Sequence, residues 1–522
     1  MKHYLALSAL ALSALLVSAT DYSRPLKVFV NGTQVHSGNA TVNLEQQSSG
    51  KYTLKLSNFE MGAAGAVGTI TVADIDSTIC ASTTCLNGQQ TIKIASGDDA
   101  SKTWIGPSLG DVPAIMKGEL SGDSLNAILN IFMPNVDSAS SVRIELGNVS
   151  SMGQVPNSSF DDFHTESVNV SRYTYREEQA NHWHSLLNAE TNMLALYAIQ
   201  QHCYKSTDVR EGATGNCLEV RSNTANTISI NGTATTGCMR FTSDDATNVN
   251  NCAFLSFGYT ETDSNEDPYY TIFNSRPDSL QVWVKYKVGA RAIDCSDSCK
   301  CAAVSAIITD GTYYQEPEAK TYTNVVAKAN NAAIASNDNT WQLVKIPFTY
   351  TENSVDPKAI LVNITTCAIF GGGSTSRNDP DIILIDDLSL IYNANIKSIK
   401  LKGKELSGNG NYYTAEYVGD LTADDFEVEP VSKHAYVSKR LFEIEGGYLC
   451  EIQVVSNDLK TSNVYYCKIS NSTTSINDVP TSTVAGVKAI YNLNGQRVSS
   501  MSNQGVYIVE KTDGTTTKVI KK

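Results

Sequence analysis

Positive charge is in short supply in this chain. Forty lysines and arginines face 54 aspartates and glutamates, leaving a net charge of -14 over 522 residues. Nucleic acids and anionic membrane surfaces both require a basic footprint, and none is present, so neither is expected as a partner. Beyond the N-terminus no apolar run is long enough to cross a bilayer as a helix, so no transmembrane segment is expected in the mature chain. The G-x4-G-K-[ST] phosphate loop is missing, and so is the G-x-S-x-G elbow of serine hydrolases. No solenoid repeat is apparent. Helical spacing is nearly absent. Only Arg176–Gln201 shows it in part, through Trp183, Leu186, Leu187, Met193, Leu194 and Tyr197, with Asn181, Asn188 and Asn192 interrupting, and it reads as mixed with one short helix.

What the chain does have is alternation. Lys51–Ser57 places Tyr52, Leu54 and Leu56 on one face and Thr53, Lys55 and Ser57 on the other, and similar stretches recur between turn-forming residues. The expected class is all-β and multi-domain. Twelve cysteines fall in local groups: Cys80/Cys85, Cys203/Cys217, Cys238/Cys252, Cys295/Cys299/Cys301 with Cys367, and Cys450/Cys467. In an oxidising compartment they read as disulfides within each domain. The rival reading of Cys295-x3-Cys299-x-Cys301 is a metal knot, although paired C-x2–4-C units are lacking.

The two ends point to export. Lys2 and His3 precede an apolar run, Leu5–Val17, and Val17-Ser18-Ala19 supplies small residues for cleavage, so residues 1–19 read as a signal peptide. At the other end Val487–Tyr491, Asn494-Gly495, Gly505–Val509 and the basic Lys518–Lys522 read as two strands, a tight turn and a charged terminus. These elements resemble the C-terminal sorting domain of the type IX secretion system of Bacteroidetes, over residues 475–522. The resemblance implies passage through the periplasm to the cell surface or the exterior, with that machinery as a partner.

Three units lie between. Residues 21–153 resemble the calycin-like β-barrel domain of Bacteroidetes surface proteins, carried by Leu26–Val30, Gly50–Phe59, Val67–Ile75, Met116–Leu120 and Val142–Gly147. Such a barrel either holds an apolar ligand or is filled and acts as a spacer. Residues 154–394 open with Val155–Phe163 and close with Ile382–Tyr392, and between them carry Arg276–Tyr286, Trp341–Tyr350 and Gly371-Gly372-Gly373-Ser374. They resemble the carbohydrate-metabolism domain family of Bacteroidetes, which implies a jelly-roll β-sandwich whose first and last strands pair. Residues 396–470 resemble a small Ig-like domain, and Asn471–Ser482 is a Ser/Thr-rich linker.

Candidate chemistry centres on Leu280–Val288. Leu280, Val282, Val284, Tyr286 and Val288 face the core, which leaves Gln281, Trp283, Lys285 and Lys287 on the polar face. An aromatic plane beside donors suits a sugar: the ring covers the C–H face and the polar tips bond hydroxyls. Trp283, Lys285, Tyr313, Tyr314 and Trp341 are the candidate sugar-binding residues. Tyr269-Tyr270 sends one ring to each face of a strand. Asp161, Asp162, Asp386 and Asp387 bring hard oxygen ligands from distant strands and read as a structural calcium site. A glycosidase needs a carboxylate pair, and Asp310, Glu316, Glu318, Asp386 and Asp387 are available but lie in no recognisable motif. His182-x-His184 invites a metal, yet no third ligand follows at ligand spacing, so the pair reads as a polar loop or a helix edge. The expected function is carbohydrate binding by the central domain. The alternatives are a glycoside hydrolase built on that domain's carboxylates and an adhesin that recognises a protein.

Overall fold

Two-residue periodicity governs the whole architecture. Among the described residues every regular element is a strand or a single 3-10 turn. The computed structural model describes residues 18–62, 65–170, 172–191, 200–225, 228–243, 245–291, 296–352, 355–471, 486–493, 495–501, 504–512 and 514–521. The apolar run Leu5–Val17, the cysteine at position 295 and most of the predicted linker lie outside them. The predicted short helix within Arg176–Gln201 is a strand, Tyr173–Ala180, followed by one 3-10 turn, Leu186–Asn188; residues 192–199 lie outside the described set.

Eight strands, from Ser18–Val30 to Ser140–Leu146, pair in chain order and close into a barrel. The first strand seals it, with Leu26 opposite Leu146 and Val30 opposite Val142. Along Tyr52–Glu60 the residues Tyr52, Leu54, Leu56 and Phe59 are buried. Ser57 and Asn58 both face outward, because the register shifts there and Asn58 takes a left-handed φ of 56°. Leu54, Ile70, Val72, Ile75, Leu86 and Ile144 pack one another inside, so side chains fill the interior.

The second domain is a sandwich of two sheets. The five-stranded sheet runs Cys203–Ser206, Cys217–Arg221, Ile382–Ile391, Ser279–Lys287, Gln342–Pro347. The facing sheet runs Thr233–Thr235, Ala359–Thr365, Cys301–Thr309, Val325–Ala335, Thr349–Tyr350, with Thr271–Ile272 attached to Ala359–Thr365. Leu280, Val282, Val284 and Tyr286 of the first meet Val304, Ile308, Val362 and Ile364 of the second. The opening segment does not pair with the closing strand as a strand would. A side-chain amide takes that role: Gln154 Nε2 donates to Leu390 O and Leu390 N donates to Gln154 Oε1, both at 2.8 Å. Ser158 O accepts from Leu388 N at 2.9 Å. The hairpin Phe163–Val170/Tyr173–Ala180 follows.

The third domain is a smaller sandwich, with one three-stranded and one five-stranded sheet built between Ile396 and Asn471. It docks on the barrel. Gln453 Nε2 donates to Asn130 Oδ1 at 2.9 Å and to Ser141 Oγ at 2.7 Å. Ile115 and Ile128 of the barrel pack with Val455 and Leu459. All three domains meet at Lys117, whose buried ammonium donates to Asn274 O, Ser275 Oγ and Asn457 Oδ1 at 3.2, 3.1 and 2.9 Å. Burial there pushes its pKa down to about 7.

By contacts the chain forms two units. The three domains fall in the first, Met1–Ala415 with Leu421–Lys468, and the C-terminal sheet in the second. That sheet has four strands in the order Arg497–Val498, Val487–Asn492, Gly505–Lys511, Thr516–Lys521. The expected two-residue turn is a longer one. Asn492 N donates to Gln496 O, and Gly495 at φ 77° makes the left-handed step that closes the loop.

Among the described residues Cys80, Cys85, Cys203, Cys217, Cys238, Cys252, Cys301, Cys367, Cys450 and Cys467 are free thiols in this structure. Strand register explains why two of the expected bridges do not form. Cys203 lies opposite Val220 while Cys217 lies opposite Ser206. Cys238 lies opposite Phe254 and Cys252 opposite Arg240. Disulfide geometry needs the two Cβ atoms about 4 Å apart, and residues that do not face each other across a ladder do not meet it.

Candidate functional site

The outer face of the five-stranded sheet is set by the parity of Ser279–Lys287. Leu280, Val282, Val284 and Tyr286 are fully buried, whereas Gln281, Trp283 and Lys285 are half-buried and Lys287 is exposed. Trp283 pairs with Leu343 on one side and Asp386 on the other, where the register slips by one residue. Gln342 faces Val284, so Trp341, one residue further, falls alongside Lys285. The Trp341 indole N–H is buried and has no hydrogen-bond partner among the described residues. The structure thus brings Trp283, Lys285 and Trp341 to one face.

The charges on this face are paired. The Arg210 guanidinium lies 5.3 Å from the Trp283 ring centre and forms an ion pair with Asp387. Lys285 Nζ sits 2.6 Å from Asp208. Arg221 lies 4.3 Å over the Tyr204 ring. The result is a half-open aromatic strip edged by guanidinium and ammonium groups.

Tyr313 and Tyr314 lie elsewhere. They flank the start of Tyr314–Glu316, a strand of a separate small sheet. Tyr314 is fully buried and donates its hydroxyl to Glu316 Oε2 at 2.6 Å, so it cannot meet a ligand. Tyr313 stacks on Phe254, and its hydroxyl lies between Arg240 Nη1 and Gln315 Oε1, both at 2.9 Å. Sequence parity put one ring of the pair inside; a second layer of strands takes both away from the Trp283 face.

The four aspartates are only partly gathered. Burial first, then the charges of Asp387 and Asp161, push Asp386 up to about 6. Asp386 Oδ2 is buried without a partner among the described residues. Asp387 is taken by Arg210, and Asp161 Oδ1 accepts from Asn216 N at 3.1 Å. Asp162 is exposed. The other candidate acids are engaged locally: Asp310 Oδ1 accepts from Thr312 N and Oγ1, and Glu318 pairs with Lys328 at 2.6 Å.

A second cluster was not legible as a site. His184 is not a polar loop residue beside His182. His182 takes a φ of 68°, which breaks the alternation, and its Nδ1 lies 2.7 Å from Asp267. His184 is buried and directs Nε2 to Asp263 Oδ2 at 3.4 Å. The same oxygen lies 3.5 Å from His164 Nε2, which is 3.6 Å from Glu166 Oε2. His164 and Glu166 share a face because they are two apart on the Phe163–Val170 strand. The available signal was His164-x-Glu166, but its partners come from loops 20 and almost 100 residues away, which no spacing rule joins.

The comparisons with known proteins bear on the first domain. Residues 19–144 match the family model of the calycin-like beta-barrel domain, the span of the closed eight-stranded barrel. This barrel is a calycin-like domain. No curated protein matches the chain. Among solved structures the chain aligns with a crystal structure from Bacteroides fragilis NCTC 9343, described as "a putative outer membrane protein", at 8% identity and a TM-score of 0.17. That alignment covers 66% of this chain and 97% of the other. The calycin-like assignment stops at the barrel, and the Trp283 face and the histidine cluster both lie outside it.

Proposed function

We propose that this is an exported carbohydrate-binding protein of the cell surface or exterior, and that the outer face of its five-stranded sheet is the glycan platform. The observation that carries this reading is Trp283, half-buried on the polar side of a strand whose other side is wholly core. A pyranose ring laid on the side of Trp283 that Arg210 does not cover would have Lys285 as a donor beside it. The calycin-like barrel, filled by its own side chains, is the spacer in this reading, and the C-terminal sheet is the address read by a type IX secretion machinery.

Depletion of the purified protein by a panel of plant and host polysaccharides, beside Trp283→Ala, tests it. Retention on one polymer that is lost in the variant supports the platform. Release of reducing sugar would instead favour a glycoside hydrolase, and binding that survives glycosidase treatment of the target would favour a protein adhesin. A structural calcium at Asp161 and Asp386 belongs to the same reading, since Asp386 keeps an unpaired oxygen. Calcium that leaves the Tm of dialysed protein unmoved would remove it.

A further inference from the structure

The cluster beside the sandwich core gathers three potential ligand residues, His164, Glu166 and Asp263, and sets His184 Nε2 beside them, 3.4 Å from Asp263 Oδ2. The His164, Glu166 and Asp263 atoms lie within 4.8 Å of one another. The side chains of Asp263 and His184 have no exposure, and those of Glu166 and His164 keep 7% and 11%. His164 Nε2, His184 Nε2 and Asp263 Oδ2 are all buried without a hydrogen-bond partner among the described residues.

The outer partners fix what these atoms can offer. His184 Nδ1 lies 3.0 Å from Gly237 O, a carbonyl that can only accept, so the proton sits on Nδ1. His164 Nδ1 lies 3.0 Å from Asn181 Oδ1, which sets the same tautomer. In the neutral rings each Nε2 therefore presents a lone pair to the Asp263 oxygen. Lone pairs facing a buried carboxylate repel unless a cation lies between them. Protons would not resolve the contact well, because 3.4–3.5 Å exceeds an N–H···O hydrogen bond. A metal would: ligand bonds of about 2.0–2.1 Å at tetrahedral angles place neighbouring ligand atoms roughly 3.3–3.4 Å apart, close to the 3.4, 3.5 and 3.6 Å of the His184–Asp263, His164–Asp263 and His164–Glu166 contacts, with the His184 ring needing to move in to complete the set.

The carboxylates are held in the same manner. Asp263 Oδ1 accepts from Asn265 N at 2.9 Å and from Asp267 N at 2.8 Å, which leaves Oδ2 for the centre. Glu166 Oε2 accepts from Ser264 N at 3.1 Å and Oγ at 2.8 Å. Ligand histidines backed by carbonyls and ligand carboxylates backed by N–H groups form the outer shell of a metal site. The Tyr269 ring, 4.4 Å from the His184 ring, closes one side.

We propose that His164, Glu166 and Asp263 bind one divalent transition-metal ion, with zinc the best match, and that His184 closes on it from beside Asp263 to complete a closed structural site. Two imidazoles with two carboxylates suit zinc and disfavour calcium, which takes six to eight oxygens. Four protein ligands and near-complete burial leave no open coordination position, so the ion's role is to tie the loops around His184 and Asp263 to the Phe163–Val170 strand.

The test uses the full chain. Protein stripped with a strong chelator is titrated with Zn²⁺ and, in parallel, with Co²⁺. The expected result is one ion per chain, a Tm rise of roughly 5–15 °C on reloading, and visible Co²⁺ d–d bands without the thiolate charge-transfer band that cysteine ligands would give. Asp263→Asn, close in shape, should abolish the stoichiometric ion and the Tm rise. Wild-type protein that takes up no zinc, or whose Co²⁺ spectrum shows thiolate ligation, would overturn the proposal, as would undiminished binding by Asp263→Asn. The spectrum and the wild-type titration decide the matter even if the variant fails to fold.

Discussion

The Trp283 face and the His184 cluster belong to the same domain and treat polar groups in opposite ways. On the open face the charges that reach solvent have found partners, Arg210 with Asp387, Lys285 with Asp208 and Lys287 with Asp379, and the exceptions, Asp386 Oδ2 and the Trp341 N–H, are buried beneath it. In the closed cluster, where solvent screening is weakest, three polar atoms have none. Water and surface pairing make exposed charges cheap to satisfy and of little consequence for stability. A buried unpaired group costs far more. On the readings proposed above, the open face exchanges water for glycan and the closed cluster gains stability from a bound cation.

Breaking the closed side should have the largest effect. In the zinc-loaded protein Asp263→Ala is expected to lower stability by about 3–5 kcal/mol, since it removes the anionic ligand that holds the ion between the two histidines. Urea unfolding of both proteins measures it, and a change under 1 kcal/mol would equate the two regions. On the open side Trp283→Ala should weaken glycan retention by about 1–3 kcal/mol, one aromatic platform, while leaving the urea midpoint nearly in place. Affinity electrophoresis and unfolding together separate the two effects.

A third carboxylate sharpens the contrast. Glu451 is buried with Oε1 unpartnered among the described residues, and its Oε2 accepts from Asn135 N at 3.0 Å. No imidazole is among its partners. Burial pushes its pKa from 4.5 up to about 7, with the Asp137 charge adding to the rise. This acid meets its burial by holding a proton. Its folded pKa lies above the unfolded one, so its contribution to stability is full below pH 4.5 and is lost as pH rises through 7. Glu451→Gln should flatten that dependence and melt higher than wild type at pH 8, by the equivalent of about 1–3 kcal/mol; thermal melts from pH 4.5 to 8 follow it. The smallest effect should come from Arg210→Ala, which removes a half-buried surface pair and is expected to change stability by about 1 kcal/mol or less while baring one face of Trp283.

The sequence made the strands and their faces readable wherever one side meets a core. Leu280–Tyr286 sorted correctly because burial on one side enforces strict alternation. The barrel was readable for the same reason. Contacts set by loops were not. His184 and Asp263 reach the cluster through the turn at His182 and the Asp263–Asp267 loop, and neither has a periodicity. Tyr314 misled because its parity was right while the layer covering it came from another sheet. The groups Cys203/Cys217 and Cys238/Cys252 misled because closeness in sequence does not fix which row of a ladder each residue joins, whereas Cys80 and Cys85 do lie side by side.

The Lys117 junction has a consequence for the order of events in making this protein. Its ammonium is tied to Asn457, 340 residues later, and Arg143 donates to Lys460 O, 317 residues later. A ribosome finishes the barrel strands long before either partner exists. During that interval Ile115, Ile128 and Lys117 are a bare face on an otherwise complete barrel. The chain must therefore hold an unfinished surface until nearly all of it has been made, and a copy truncated before Asn457 would carry that surface for its whole lifetime.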